Sequence, residues 1–265
     1  MSNPYLLPEI FDYTIDLLHD QPETLKECCL VSKSWIPRTR KHLFAEIRFR
    51  SADNLVSWKK TFPDPANSPA YHAHSLFVGC IQIVEEADAE EGGWIQAFSS
   101  VERLTVNRPW LDFDAIEVSL APFRRLSRSV KYLRVTSVFL PRSVFNLIHS
   151  LPLLEDLTLI GHDTSVFNNN ELDTSPSATP LASPAFTGTL QLLLFQGMMN
   201  VARRLVDLPN GLHFRKLSLS WREEGDLRWV VMLVVACCRT LEYLDITCEL
   251  DGAVYSASPL DRGFT

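Results

Sequence analysis

Apolar residues in the opening forty-odd positions recur at helical spacing. Ile10, Phe11, Ile15 and Leu18 fall three and four residues apart. They predict one apolar stripe on a helix that opens at Pro8, where a missing N–H is not needed. Asp20-Gln21-Pro22 breaks that helix. A second apolar run goes from Thr24-Leu25 through Cys28 and Leu30 to Val31. A third stretch, Lys33 to Phe44, carries Trp35 and the basic group Arg38, Arg40 and Lys41. Three short helices enclose little core, so such a module leans on the following domain, on a partner, or on both.

Beyond this point the pattern changes. One motif recurs: apolar, two variable, Leu or Ile, one variable, apolar. Its central residues are Ile47, Leu76, Leu104, Leu133, Leu157, Leu193, Leu217 and Leu244, at steps of 29, 28, 29, 24, 36, 24 and 27. The central and last positions are two apart and so share one face of a strand. Helix-like stretches lie between them at Pro141 to Ser150, Met198 to Asp207 and Asp226 to Cys238. The expectation is an α/β chain: a helical module at 4–46, then a repeat domain at 47–265, an irregular leucine-rich-repeat solenoid with a parallel sheet. An ordinary α/β domain with look-alike strands is the alternative. Thr164 to Gly188, rich in Ser, Thr, Asn and Pro, reads as a mobile insertion (164–188) on one rim. Glu85 to Glu91 reads as a solvated acidic run.

Composition narrows the classes. The 46% hydrophobic fraction suffices for a core, and a net charge of −7 makes nucleic acid a poor partner. Six cysteines include two adjacent pairs and no C-x-x-C spacing, which suits a reducing compartment rather than a disulfide framework or zinc site. The N-terminus lacks the basic flank of a signal peptide. The longest apolar run, Trp229 to Cys238, covers ~15 Å as a helix, about half a bilayer core. The chain is thus expected in the cytoplasm and/or nucleus, with no membrane partner.

The segment Leu6-Leu7-Pro8-Glu9-Ile10, then Ile15 and Leu18, then Leu25, Cys28 and Leu30-Val31-Ser32-Lys33-Ser34-Trp35 resembles an F-box, over about Leu6 to Phe44. Leu7 stands where the family carries its proline, with Pro8 next, and Thr14 stands where an aliphatic is usual. The repeat body is similar to the leucine-rich-repeat halves that F-box proteins of fungal type often carry. The resemblance implies a three-helix F-box that docks on the Skp-family adaptor of a cullin–RING ubiquitin ligase, with Leu6, Pro8, Ile10, Cys28, Val31 and Trp35 as contacts. Those side chains could instead form the module's own core, the expected role of Ile15, Leu18 and Leu25.

In a parallel solenoid the alternate strand positions line the open face. The expected target-binding face comprises Arg103, Thr105, Tyr132, Arg134, Asp156, Thr158, Leu194, Ser218 and Asp245, with Asn107, Thr136, Leu192, Gln196, Lys216, Ser220, Tyr243 and Thr247 beside them. This mixed polar surface suits a protein or peptide. Ser175-Pro176, Thr179-Pro180 and Ser183-Pro184 are candidate phosphorylation sites. No hydrolase elbow, P-loop, dinucleotide fingerprint or H-E-x-x-H occurs. His72-x-His74 near Cys80 would share a strand face, yet no further ligand follows at regular spacing. The reading is therefore a substrate-recognition adaptor of a Skp–cullin–F-box ligase, with no catalysis, metal or cofactor, and an unknown protein substrate. Its rival is a ligase-independent interaction scaffold. The last strand ends near Cys248 without a covering helix, so the C-terminal end is expected to be truncated, cross-paired or marginally stable.

Overall fold

The structure is a computed structural model, which describes residues 8–79, 94–108, 120–137, 142–162, 186–193, 198–208, 211–221, 227–250 and 253–257. Helices come first. α1 (Pro8–Leu17) and α2 (Pro22–Val31) are separated by a turn, and Pro22 takes the first turn of α2. Ser32 is extended, and its hydroxyl accepts from the Ser34 N–H at 3.3 Å, opening a 3-10 turn over Lys33–Trp35. α3 (Ile36–Leu43) follows directly and packs against both α1 and α2.

The rest of the chain is strand-based. β1 (Glu46–Phe49), β2 (Ser75–Val78), β3 (Arg103–Arg108), β4 (Tyr132–Ser137) and β5 (Asp156–His162) are followed by β6 (Thr187–Leu193), β7 (Phe214–Trp221) and β8 (Tyr243–Leu250). Each pairs with the next in parallel, so the order across the sheet is the order along the chain. Parallel neighbours need a crossover of a dozen or more residues. The described crossovers include α4 (Ala52–Thr61), α5 (Arg142–His149), α6 (Met198–Val206) and α7 (Leu227–Cys237). The expected helices at 141–150, 198–207 and 226–238 lie within two residues of these bounds. α4, held by a reciprocal Ser51–Asn54 cap, has no counterpart in the sequence reading.

The repeat is also written in the backbone. The carbonyls of Ala45, His74, Glu102 and Lys131 each accept from two consecutive N–H groups at the start of the following strand. Behind the sheet, Leu76, Val78, Leu104, Val106, Leu133, Val135, Leu157, Leu159, Leu217 and Leu219 form one continuous buried core. Phe49, Trp94 and Phe98 close its first end, and their rings meet edge to face. Trp94 Nε1 is the one buried side-chain polar atom without a partner among the described residues. Edge-on rings can offer such an N–H a π face instead.

Three expectations are corrected here. The sixth repeat centres on Leu190 rather than Leu193: Leu190 pairs with Leu217, the centre of β7, and with Leu159, two residues past the centre of β5. Leu192 is accordingly buried in the core and not on the open face. The inserted segment is shorter than 164–188, because Phe186 is buried and β6 begins at Thr187. The remainder of that segment with its Ser/Thr-Pro pairs, and the run Glu85 to Glu91, lie outside the described residues. Finally, β8 is followed by β9 (Ala253–Ala257), which pairs with it antiparallel and supplies a neighbour that the sequence reading lacked.

Candidate interaction surfaces

The helical module has two apolar sides. On α1 Ile15 is buried and Phe11 half-buried, and Leu18, in the turn just after it, is half-buried too, facing the interior with i, i+4, i+7 spacing. Ile10, Tyr13 and Leu17, spaced i, i+3, i+7, are all exposed. The single stripe expected from Ile10 to Leu18 is therefore two, and Ile10 belongs to the outer one. On α2, Leu25 and Cys28 are buried, whereas Leu30 is 88% and Val31 66% exposed. An aliphatic side chain this exposed gains nothing from the fold around it.

Of the expected contact residues, Ile10 and Val31 are displayed at the surface. Cys28 is buried and is thus a core residue of the module; helical spacing from Leu25 turns it inward. Trp35 is half-buried with its ring 5.4 Å from that of Phe11, so part of its area is already spent inside the module. Pro8 opens α1 as its first residue. Leu6 lies outside the described residues. Tyr13, Leu17 and Leu30 were missed as surface candidates, although the doubled helical periodicity of α1 could have revealed the first two.

An ion cluster fixes α1 on α3. The Asp16 carboxylate accepts from Arg38 Nε at 2.6 Å, from Arg38 Nη2, and from His42 Nε2 at 2.7 Å. The hydrogen bonds from Arg38 and then His42 hold the Asp16 carboxyl well below the usual carboxylate range. Nearby, the Thr14 hydroxyl donates to the Ile10 carbonyl at 2.8 Å, so this polar residue is accommodated on the exposed helix by back-bonding. α3 also touches the 3-10 turn Pro69–His72 that precedes β2, joining the module to the first repeats.

The second surface is the open face of the sheet. Alternate residues along the strands stand in lateral rows: Arg103, Tyr132 and Asp156 in one, Thr105, Arg134 and Thr158 in the next. Arg103 and Arg134 are exposed; Thr105, Tyr132, Asp156 and Thr158 are half-buried. The Arg103 guanidinium lies over the Tyr132 ring, 4.7 Å from its centroid. Farther along, Ser218 Oγ donates to Asp245 Oδ2 at 3.1 Å. All eight of these expected face residues thus share the side away from the core; Leu194, the ninth, lies outside the described residues. Ser220, also expected there, is buried.

Other chemistry is sparse. His72 ends a 3-10 turn and is not on a strand with His74, so the shared strand face expected for that pair does not exist. Cys80 lies outside the described residues. No group of three or more metal-capable side chains occurs among the described residues. A half-open pocket of about 190 Å³ between Trp58, Phe62, Pro63, Pro65 and Trp94 is smaller than the ~300–1,000 Å³ typical of small-molecule sites. Among the described residues, no helix is long and apolar enough to cross a membrane. No family model matches the chain, and no curated protein and no solved structure matches it either.

Proposed function

We propose that this chain is a non-catalytic adaptor of F-box type. Its N-terminal helices dock on the Skp-family adaptor of a cullin–RING ubiquitin ligase, and its strand repeats, read as a leucine-rich-repeat solenoid, present a protein target. The observation that carries this reading is the outward apolar side of the module: Ile10, Tyr13 and Leu17 on α1, with Leu30 and Val31 at the end of α2. Burying one such aliphatic side chain stabilises a complex by ~1.5–3 kcal/mol. These residues fall within the stretch that resembles the F-box. The adaptor's contribution would be proximity, holding target lysines near the conjugating enzyme.

The test is capture of the Skp-type adaptor by the full chain. Wild type retains it, and Ile10→Asp combined with Leu30→Glu loses it while keeping its circular dichroism spectrum. A wild-type chain that captures no adaptor would sink the proposal. It would favour the second reading, a ligase-independent scaffold in which the helices only cap the repeats. The packing of α3 on the Pro69–His72 turn is the observation on that side.

A further inference from the structure

The target surface has a chemical bias at β3 and β4. In the parallel register Arg103 stands opposite Tyr132, and Arg134 stands opposite Thr105. The two arginines are therefore diagonal neighbours on adjacent strands, with backbones ~7–8 Å apart. The Arg103 guanidinium lies over the Tyr132 ring and the residue stays exposed to solvent. Among the described residues no ion pair engages Arg103 or Arg134, whereas Arg38, Arg48, Lys131 and Arg215 are each paired with an acid. The hydroxyls of Thr105 and Thr158 flank Arg134 on either side. Among the described residues the acid on the neighbouring strand of this face is Asp156, which lies opposite Tyr132 and is ion-paired to neither arginine.

Two exposed guanidinium forks on one face, ion-paired to no described residue and a side-chain length apart, match carboxylates in geometry and charge. We infer that Arg103 and Arg134 anchor a carboxylate-rich acidic peptide segment of the target, laid across β3 and β4. This rests on the proposal that the open face is the target surface, but not on the docking of the helices. Asp156 disfavours a third carboxylate on the β5 side, so the acidic residues should be clustered rather than spread along the groove.

The probe is a fluorescein-labelled hexaglutamate peptide, titrated with the full chain and read by anisotropy at low salt. Charge-assisted hydrogen bonds of this kind correspond to about tenfold in affinity or more. Arg103→Gln and Arg134→Gln should therefore each weaken binding about tenfold. Arg124→Gln combined with Arg125→Gln removes two exposed charges from the 3-10 turn Ala121–Leu126, off this face, and should leave affinity within twofold. Both pairs of substitutions are at exposed positions, so folding is preserved. The inference is overturned if wild type does not bind the peptide, if the Arg124/Arg125 variant loses as much as the Arg103/Arg134 pair, or if a hexalysine peptide binds equally well. Adaptor capture by the Arg103→Gln/Arg134→Gln chain should be unchanged, which separates failure here from failure of the ligase assignment.

Discussion

Gly188 is the position where a single methyl group should do most damage. It sits in β6 opposite Leu157 of β5, with φ at 142°. A Cβ built there would lie 2.0 Å from the Leu157 carbonyl oxygen and 2.8 Å from its nitrogen, both backbone atoms that no rotamer change can move. Gly188→Ala therefore carries a conformational cost of ~1–2 kcal/mol for an L-residue at positive φ and an overpacking cost of ~1–3 kcal/mol as β5 and β6 separate. The sum, roughly 2–5 kcal/mol, is a large share of the ~5–15 kcal/mol that stabilises an ordinary domain. Gly211 provides the control. Its φ is 73°, yet nothing lies within 4 Å of its would-be Cβ. Gly211→Ala should therefore cost only ~1 kcal/mol. Urea unfolding of the two variants, followed by circular dichroism, measures the difference. A Gly188→Ala chain within 0.5 kcal/mol of wild type, on the order of an ordinary surface change, would refute the close approach of β6 to β5.

Other outcomes follow from the same geometry. Ile15→Ala and Leu25→Ala should each destabilise the helical module by ~2–5 kcal/mol, whereas Leu30→Ala should stay within ~0.5 kcal/mol in chemical denaturation; equal losses would contradict the two-sided reading of the helices. The depressed Asp16 carboxyl contributes stability that is fully present above its ordinary value of 3.8 and is lost as pH falls below it. Amide exchange in α1 should accordingly speed up, relative to an Asp16→Asn chain, as pH is lowered from 6 to 3; parallel profiles would remove the cluster's role. Burial pushes the Cys237 thiol up to about 11, while Cys238 is exposed. At pH 8 iodoacetamide should modify Cys238 long before Cys237 in native protein, read by mass spectrometry, and equal labelling would place Cys237 at the surface.

The strands were legible because a buried parallel sheet demands apolar residues at fixed alternate positions, and seven of the eight motif centres meet their neighbours in register. The exception is instructive. Leu190 to Phe195 is apolar in both parities, apart from Gln191, so periodicity cannot choose a register there. Backbone contact at Gly188 and a shift opposite Phe214 and Lys216 choose it instead. β9 and α4 escaped for a related reason: a short segment with little periodicity becomes regular only when a neighbouring strand or core holds it.

Surfaces were less legible than cores. The sequence alone determined that helices precede a strand repeat, and it placed Arg103, Tyr132, Arg134 and Asp156 on a common face, since strand parity follows from the apolar positions. Which apolar residues of α1 and α2 face outward was decided only by tertiary packing. α3 can cover one side of each helix, and its position, set in part by the Asp16–Arg38–His42 cluster, turns Ile15 and Cys28 inward and leaves Ile10, Leu30 and Val31 in water. Hydrophobicity counts residues that want burial, but it does not say whether the chain itself or another molecule will provide it.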